Sequence, residues 1–162
     1  MGKNTKLSKG DKAPDFTLPA QGADSDTITL SELRGSPVVV YFYPRDSTPG
    51  CTTEACDFRD NLGRAKSAGA TVLGVSPDSI ESHQKFAEKQ SLNFPLLADE
   101  DHAVAEAWGV WREKKNFGKT YDGIVRTTFL IDGDGKIAEM WDNVRVKGHA
   151  DKVLTALEDL KS

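Results

Sequence analysis

The chain has 162 residues, of which 38% are hydrophobic and 28% charged, enough to enclose one core without disulfide or metal staples. A net charge of −4 and a pI near 5.4 argue against a nucleic-acid partner, because phosphate binding needs clustered cations and the densest basic group here is Arg112, Lys114 and Lys115, broken by Glu113. The apolar stretches are too short to cross a bilayer, and two cysteines are too few for a disulfide framework.

The first ten residues, MGKNTKLSKG, are basic and polar with no apolar segment behind them. They lack the middle of a secretory signal, so residues 1–9 read as a flexible tail on a single cytoplasmic domain spanning 1–162. Short strands are expected at Ala13 to Leu18 and Ile28 to Leu30, with Ser31 as the N-cap of a brief turn, SELRG. Val38 to Tyr43, VVVYFY, has the β-branching of a buried central strand. After a loop over Pro44 to Gly50, the pattern predicts one amphipathic helix from Cys51 to Ala68, with Phe58, Leu62 and Ala65 on its inner face. A strand at Thr71 to Val75 and a helix from about Ser79 to Gln90 repeat the unit, with Ile80 and Phe86 facing inward. Phe94 to Leu97 reads as extended, Val104 to Trp108 as helical and Arg112 to Gly123 as a polar loop. Thr127 to Ile131, a turn at Gly133 to Gly135, and Ile137 to Trp141 form a hairpin before a closing helix, Asp151 to Leu160. Two βα units in series favour an α/β domain with a parallel core.

Both cysteines fall in YPRDSTPGCTTEAC, five positions apart, where the central strand gives way to a helix. A thiol is a strong nucleophile only as thiolate, and the unpaired N–H groups and positive dipole end of a helix start favour that anion. Pro49 suits a first-turn position, Gly50 lets backbone N–H groups approach a ligand, and the Thr48 hydroxyl can both donate and accept. The plainer reading, a small buried hydrophobe behind an ordinary Thr-Pro-Gly turn, stays open on these residues alone. On an intact helix, residues five apart have Cα atoms separated by roughly 8.7 Å, beyond the roughly 7 Å limit of a disulfide. If Cys51 and Cys56 pair, the first turns must unwind.

YFYPRDSTPGCTTEAC closely resembles the active-site signature of peroxiredoxins of the bacterioferritin comigratory protein (peroxiredoxin Q) group. KAPDFTLPAQGADSDTITLSELRGSPVVVYFYP, VLGVSPDSIESHQKFAEKQSLNFPLLAD and RTTFLIDGDGKI resemble that family in order and spacing. The resemblance implies a thioredoxin-like fold, a central mixed β-sheet flanked by helices with a peroxiredoxin-type N-terminal extension. It implies Cys51 as the peroxidatic cysteine, Thr48 as a hydrogen-bonding partner of the peroxide and Pro44 as a shield against water. Arg126 is implied to hold the thiolate and stabilise charge as the O–O bond lengthens, with Glu54 orienting it and the N–H groups of Gly50 and Cys51 completing an anion cradle. Cys56 matches the resolving position, giving an intramolecular disulfide. Hydrogen peroxide and organic hydroperoxides are the implied substrates, thioredoxin the implied reductant and a monomer the sufficient unit, with no cofactor. A redox-sensing or holdase-type binding protein using the same disulfide is the rival; thioredoxin-type exchange is disfavoured because its cysteines are separated by two residues.

Other signals carry less. His83, His102 and His149 are far apart in sequence and read as helix-face or capping residues, so no metal is expected. Asp132-Gly-Asp-Gly lacks the later glutamate of a calcium loop and reads as a hairpin turn. Trp108, Trp111 and Phe117 read as core or rim residues around the polar loop.

Overall fold

A computed structural model describes residues 7–160. Seven strands form one mixed sheet in the order β2-β1-β5-β4-β3-β8-β9. At its centre β3 (Val38–Phe42), β4 (Thr71–Ser76) and β5 (Leu96–Ala98) run parallel. On one side lie the antiparallel strands β1 (Thr17–Gln21) and β2 (Thr27–Thr29), and on the other β8 (Thr127–Ile131) and β9 (Ile137–Trp141). Between β5 and β8 the chain makes a separate two-stranded hairpin, β6 (Trp111–Asn116) and β7 (Lys119–Ile124).

Every residue of β3 is buried, and alternation divides them between two cores. Val39, Tyr41 and Tyr43 pack with helices α1 (Pro49–Asp60), α2 (Leu62–Ser67), α3 (Ile80–Gln90) and α5 (His149–Leu160). Val38, Val40 and Phe42 pack on the opposite face with Phe16, Leu30, Trp108 and Ala105 of α4 (Ala103–Ala107). Handedness accounts for the division. The crossovers from β3 to β4 and from β4 to β5 advance in one direction across the sheet, so right-handed connections place α1, α2 and α3 on one face. Helices thus flank a central mixed sheet, the thioredoxin-like arrangement that the resemblance implies.

Several sequence expectations are corrected. Strand β1 begins only at Thr17; before it Pro14 has no N–H to donate, and the Asp15 carboxylate is turned to the backbone of Phe16 (2.9 Å) and Ser31 (2.8 Å). That second bond explains why Ser31 is not the cap: it lies inside a 3-10 helix, Leu30–Leu33, with Thr29 at the N-cap, and Asp15 satisfies its N–H from a distance in sequence. The expected helix from Cys51 to Ala68 starts earlier, at Pro49, and breaks at Asn61, whose side-chain amide donates to Asp57 O (2.8 Å) in competition with the helix. Arg112 to Gly123 is the β6–β7 hairpin rather than a loop. Phe86 is buried as expected, while Ile80 is half-buried. Of the expected tail, residues 1–6 lie outside the described residues, but Leu7 packs against the second core and Lys9 pairs with Glu139 at 2.9 Å. Phe117 is exposed at the hairpin tip, whereas Trp108 is buried in the core.

Candidate active site

The loop after β3 turns sharply into α1. Ser47 has φ 63, a left-handed conformation uncommon for a residue with a Cβ, and Thr48 follows in extended geometry as the N-cap. The first intrahelical bond is donated by Thr52 to Thr48 O (2.8 Å). The N–H groups of Gly50 and Cys51 precede it and are the helix-start donors available to a ligand. The Thr48 hydroxyl donates to Arg45 O (2.9 Å), which leaves its lone pairs as acceptors.

Cys51 is 1% exposed. Arg126, at the junction of β7 and β8, donates from Nη2 to Cys51 Sγ at 3.2 Å and from Nη1 to Glu54 Oε1 at 2.7 Å. Its backbone is held by a bond from Val144 N to Arg126 O (2.9 Å). Burial works against the guanidinium charge, but Glu54 and then Cys51 outweigh it and raise its pKa. A Cβ on Gly50 would stand 3.2 Å from Arg126 Nη2, so glycine lets the guanidinium lie against the helix start.

Under this layer sits a buried polar group. Burial pushes Glu54 up to about 7, against the pull of Arg126, and its Oε2, like Tyr41 OH, is buried with no hydrogen-bond partner among the described residues. His149 Nε2 lies 4.0 Å from Glu54 Oε2 and 2.8 Å from Thr128 Oγ1. The longer approach is not an ion pair, because burial, with Lys152 and Arg126 adding to it, takes His149 down to about 4 and keeps it neutral. Tyr41 faces Gly74 across the ladder; a Cβ there would meet the Tyr41 ring at 2.9 Å. The ring in turn stacks on Phe58 of α1, with centroids 4.9 Å apart.

Beside Gly50 and Arg126, the neighbours of Cys51, opens a cleft of about 540 Å³ bordered also by Pro44, Thr48 and residues of the β6–β7 hairpin. From the hairpin come Trp111, Lys114 and Tyr121. Lys114 donates to Ile124 O (2.7 Å), and burial, with Arg126 nearby, lowers its pKa. Cys56 lies further along the same helix, half-buried, with its Sγ 3.5 Å from Gln90 Oε1; both thiols are free.

The structure therefore brings Cys51, Thr48, Pro44, Gly50, Glu54 and Arg126 together, and holds Cys56 apart from Cys51 within one continuous helix. Sequence reasoning missed the hairpin wall and the neutral His149 beneath Glu54. His83, expected as a helix-face or capping residue, is instead fully buried beside Asp46 and Asp78, with one potential ligand atom of each within 4.8 Å of the others. Those contacts join α3 to the cysteine loop, and no local pattern announces them.

A buried helix-start cysteine under a guanidinium, on a sheet of this topology, defines a thiol-based oxidoreductase. The AhpC/TSA family matches residues 9–140. Peroxiredoxin Bcp of Bacillus subtilis is 52% identical over 151 residues, covering 93% of this chain and 95% of that protein. Peroxiredoxin Bcp of Escherichia coli is 52% identical over 153 residues, covering 94% and 97%. The Xanthomonas campestris bacterioferritin comigratory protein, solved in work on its alkyl peroxide reduction activity, superposes with a TM-score of 0.87 at 43% identity, covering 96% of this chain and 98% of that one. The chain belongs to the AhpC/TSA family and, within it, to the peroxiredoxins of the Bcp or peroxiredoxin Q type, which are thiol peroxidases. Among the described residues no helix is long and apolar enough to cross a membrane.

Proposed function

We propose that Cys51 reduces hydrogen peroxide and organic hydroperoxides, that Cys56 resolves the product within the same chain, and that a thioredoxin-type dithiol recycles the disulfide. The observation that carries this reading is the Arg126 guanidinium bridging Cys51 Sγ and Glu54 at the start of α1. In the first step the Cys51 thiolate attacks one peroxide oxygen; an S–O bond forms, the O–O bond breaks, and the departing oxygen leaves as water or alcohol after taking a proton. Thr48, its own hydrogen engaged by Arg45 O, accepts from the peroxide O–H, and Arg126 with the Gly50 and Cys51 N–H groups faces the oxygen that gains charge. Pro44 borders the cleft and keeps water from the sulfur.

In the second step Cys56 sulfur displaces the hydroxyl of the Cys51 sulfenic acid as water, forming the disulfide. A dithiol then supplies two electrons and two protons, restoring both thiols and becoming oxidised itself. That chemistry suits a reducing compartment such as the cytoplasm and requires only one domain acting as a monomer.

Peroxide consumption with thioredoxin, thioredoxin reductase and NADPH tests the assignment. Cys51→Ser should lose the first oxidation, and Cys56→Ser should consume about one equivalent and then stall or overoxidise. Full turnover by Cys51→Ser refutes the role given to Cys51.

A further inference from the structure

Asp46 lies between Pro44 and Thr48 yet touches no part of the cleft; it is turned down into the protein, 7% exposed. Its Oδ1 accepts from Tyr43 OH (2.6 Å), and its Oδ2 accepts from Ser82 Oγ (2.8 Å) and meets His83 Nδ1 (2.7 Å). The other ring nitrogen, Nε2, meets Leu97 O at 2.9 Å. A carbonyl oxygen can only accept, so Nε2 donates to Leu97 O, and Nδ1 is the ring atom turned to the Asp46 carboxylate. The Asp46 N–H is also taken, by Asp78 Oδ2 (2.8 Å), which accepts from Ser76 Oγ as well (2.7 Å). These bonds moor Asp46 to the carboxyl ends of β3, β4 and β5 and to the first turns of α3.

The moored stretch ends abruptly. The next residue is Ser47, in the left-handed conformation, followed by Thr48, the N-cap of α1. A strained single residue between a fixed point and a helix is where a rotation can be absorbed. Asp46, His83 and Asp78 resemble a set of metal ligands in spacing, but their ligand atoms are already engaged with proton donors or with one another.

We infer that Asp46 and His83 are positioning residues for the peroxidase reaction. They fix the upstream end of the cysteine loop through both redox states, so that only the chain from Ser47 onward unwinds when the disulfide forms. This rests on the peroxidase reading above. The mooring holds the helix start and Thr48 in the attacking arrangement, and it slows unwinding, which gives a second peroxide more time to convert the sulfenic acid to sulfinic acid.

Two substitutions of His83 separate this role from ordinary core stability. Asn places an amide N–H where Nδ1 was, toward Asp46, and Gln places one where Nε2 was, toward Leu97 O. His83→Gln should slow single-turnover oxidation of Cys51 by about tenfold, as expected for a misplaced reactant, and lower the sulfinic fraction per turnover. His83→Asn should rescue both even where its thermal midpoint falls as far. Ser82→Ala, which removes one donor to the same carboxylate, should shift both readouts in the direction of His83→Gln and covers the case in which the His83 variants do not fold. Equal changes in Asn and Gln variants, or unchanged rates and sulfinic fractions in Ser82→Ala, overturn the proposal. A wild-type protein that consumes no peroxide refutes the peroxidase reading instead. The mooring is then still read by amide exchange of residues 47–52 in the reduced protein, expected faster in His83→Gln than in His83→Asn; no difference overturns it.

Discussion

Beneath the reactive cysteine, burial drives Glu54 up to about 7 and His149 down to about 4, with side-chain atoms 4.0 Å apart. Their effects on stability have opposite sign. Glu54 keeps its proton longer folded than unfolded, so its contribution is complete below the ordinary value of 4.5 and is lost as pH rises through about 7. His149 resists protonation when folded, so its contribution is complete above 6.5 and is lost as pH falls toward about 4. Across the overlap, from 4.5 to 6.5, the two slopes offset each other. Removing either partner should expose the other. In urea titrations at a series of pH values, His149→Gln should lose stability as pH rises through that window, and Glu54→Gln should gain it. Each slope is at most about 1.4 kcal/mol per pH unit. Parallel profiles in wild type and both variants would remove the paired-titration account. Glu54→Gln also alters the bond that Arg126 Nη1 donates to Glu54 Oε1, so its stability profile is compared as a slope and not as an absolute value.

At the scale of the element, α1 is asymmetric in its attachments. Its first turns are held by the Arg126 bridge and by the mooring ahead of them, both of which involve the reactive arrangement itself. Its last turns are tied to the end of α3, where the Arg59 guanidinium reaches Gln90 O, and to the loop after it, where Asn93 Nδ2 donates to Arg59 O (3.2 Å). Since thiols five apart on an intact helix are separated by more than a disulfide spans, formation of a Cys51–Cys56 bond would unwind the turns that carry the two thiols. Amide exchange of oxidised protein should show lost protection over residues 48–56 and retained protection over the final turn of α1. Identical exchange in a confirmed disulfide form and in the reduced form would show that the helix does not open.

For the whole molecule, the resolution proposed for Cys56 needs only one chain, and this has a kinetic signature. Turnover per molecule at saturating reductant should be independent of protein concentration, and sedimentation should give the monomer mass in both redox states; turnover rising with concentration would point to resolution between chains. Much of this organisation was legible in the sequence. The VVVYFY strand, the cysteine loop and Arg126 announce themselves because β-branching, Thr-Pro-Gly-Cys and the family pattern are local signals. The β6–β7 hairpin was not legible, since its charged residues alternate over no apolar face; Glu113 and Lys115 are exposed while Lys114 reaches Ile124 O. Nor were Asp46 with His83, or Glu54 with His149, because each pair joins elements distant in sequence and makes sense only once the sheet has brought them together. The helix break at Asn61 had a local cause, an amide able to bond its own backbone, but the same residue also tolerates a helix interior.

The sheet's borders bear on what repeated opening of α1 does to the molecule. At one border β2 has only three residues, and at the other β9 is covered at its start by the chain near Lys12, which bridges to Lys136 while Gly10 N bonds Ile137 O (2.8 Å). Short or covered borders give a neighbouring chain little backbone to pair with. If α1 opens during turnover as proposed, the seven-stranded sheet therefore presents no long free strand at either border to a neighbouring chain.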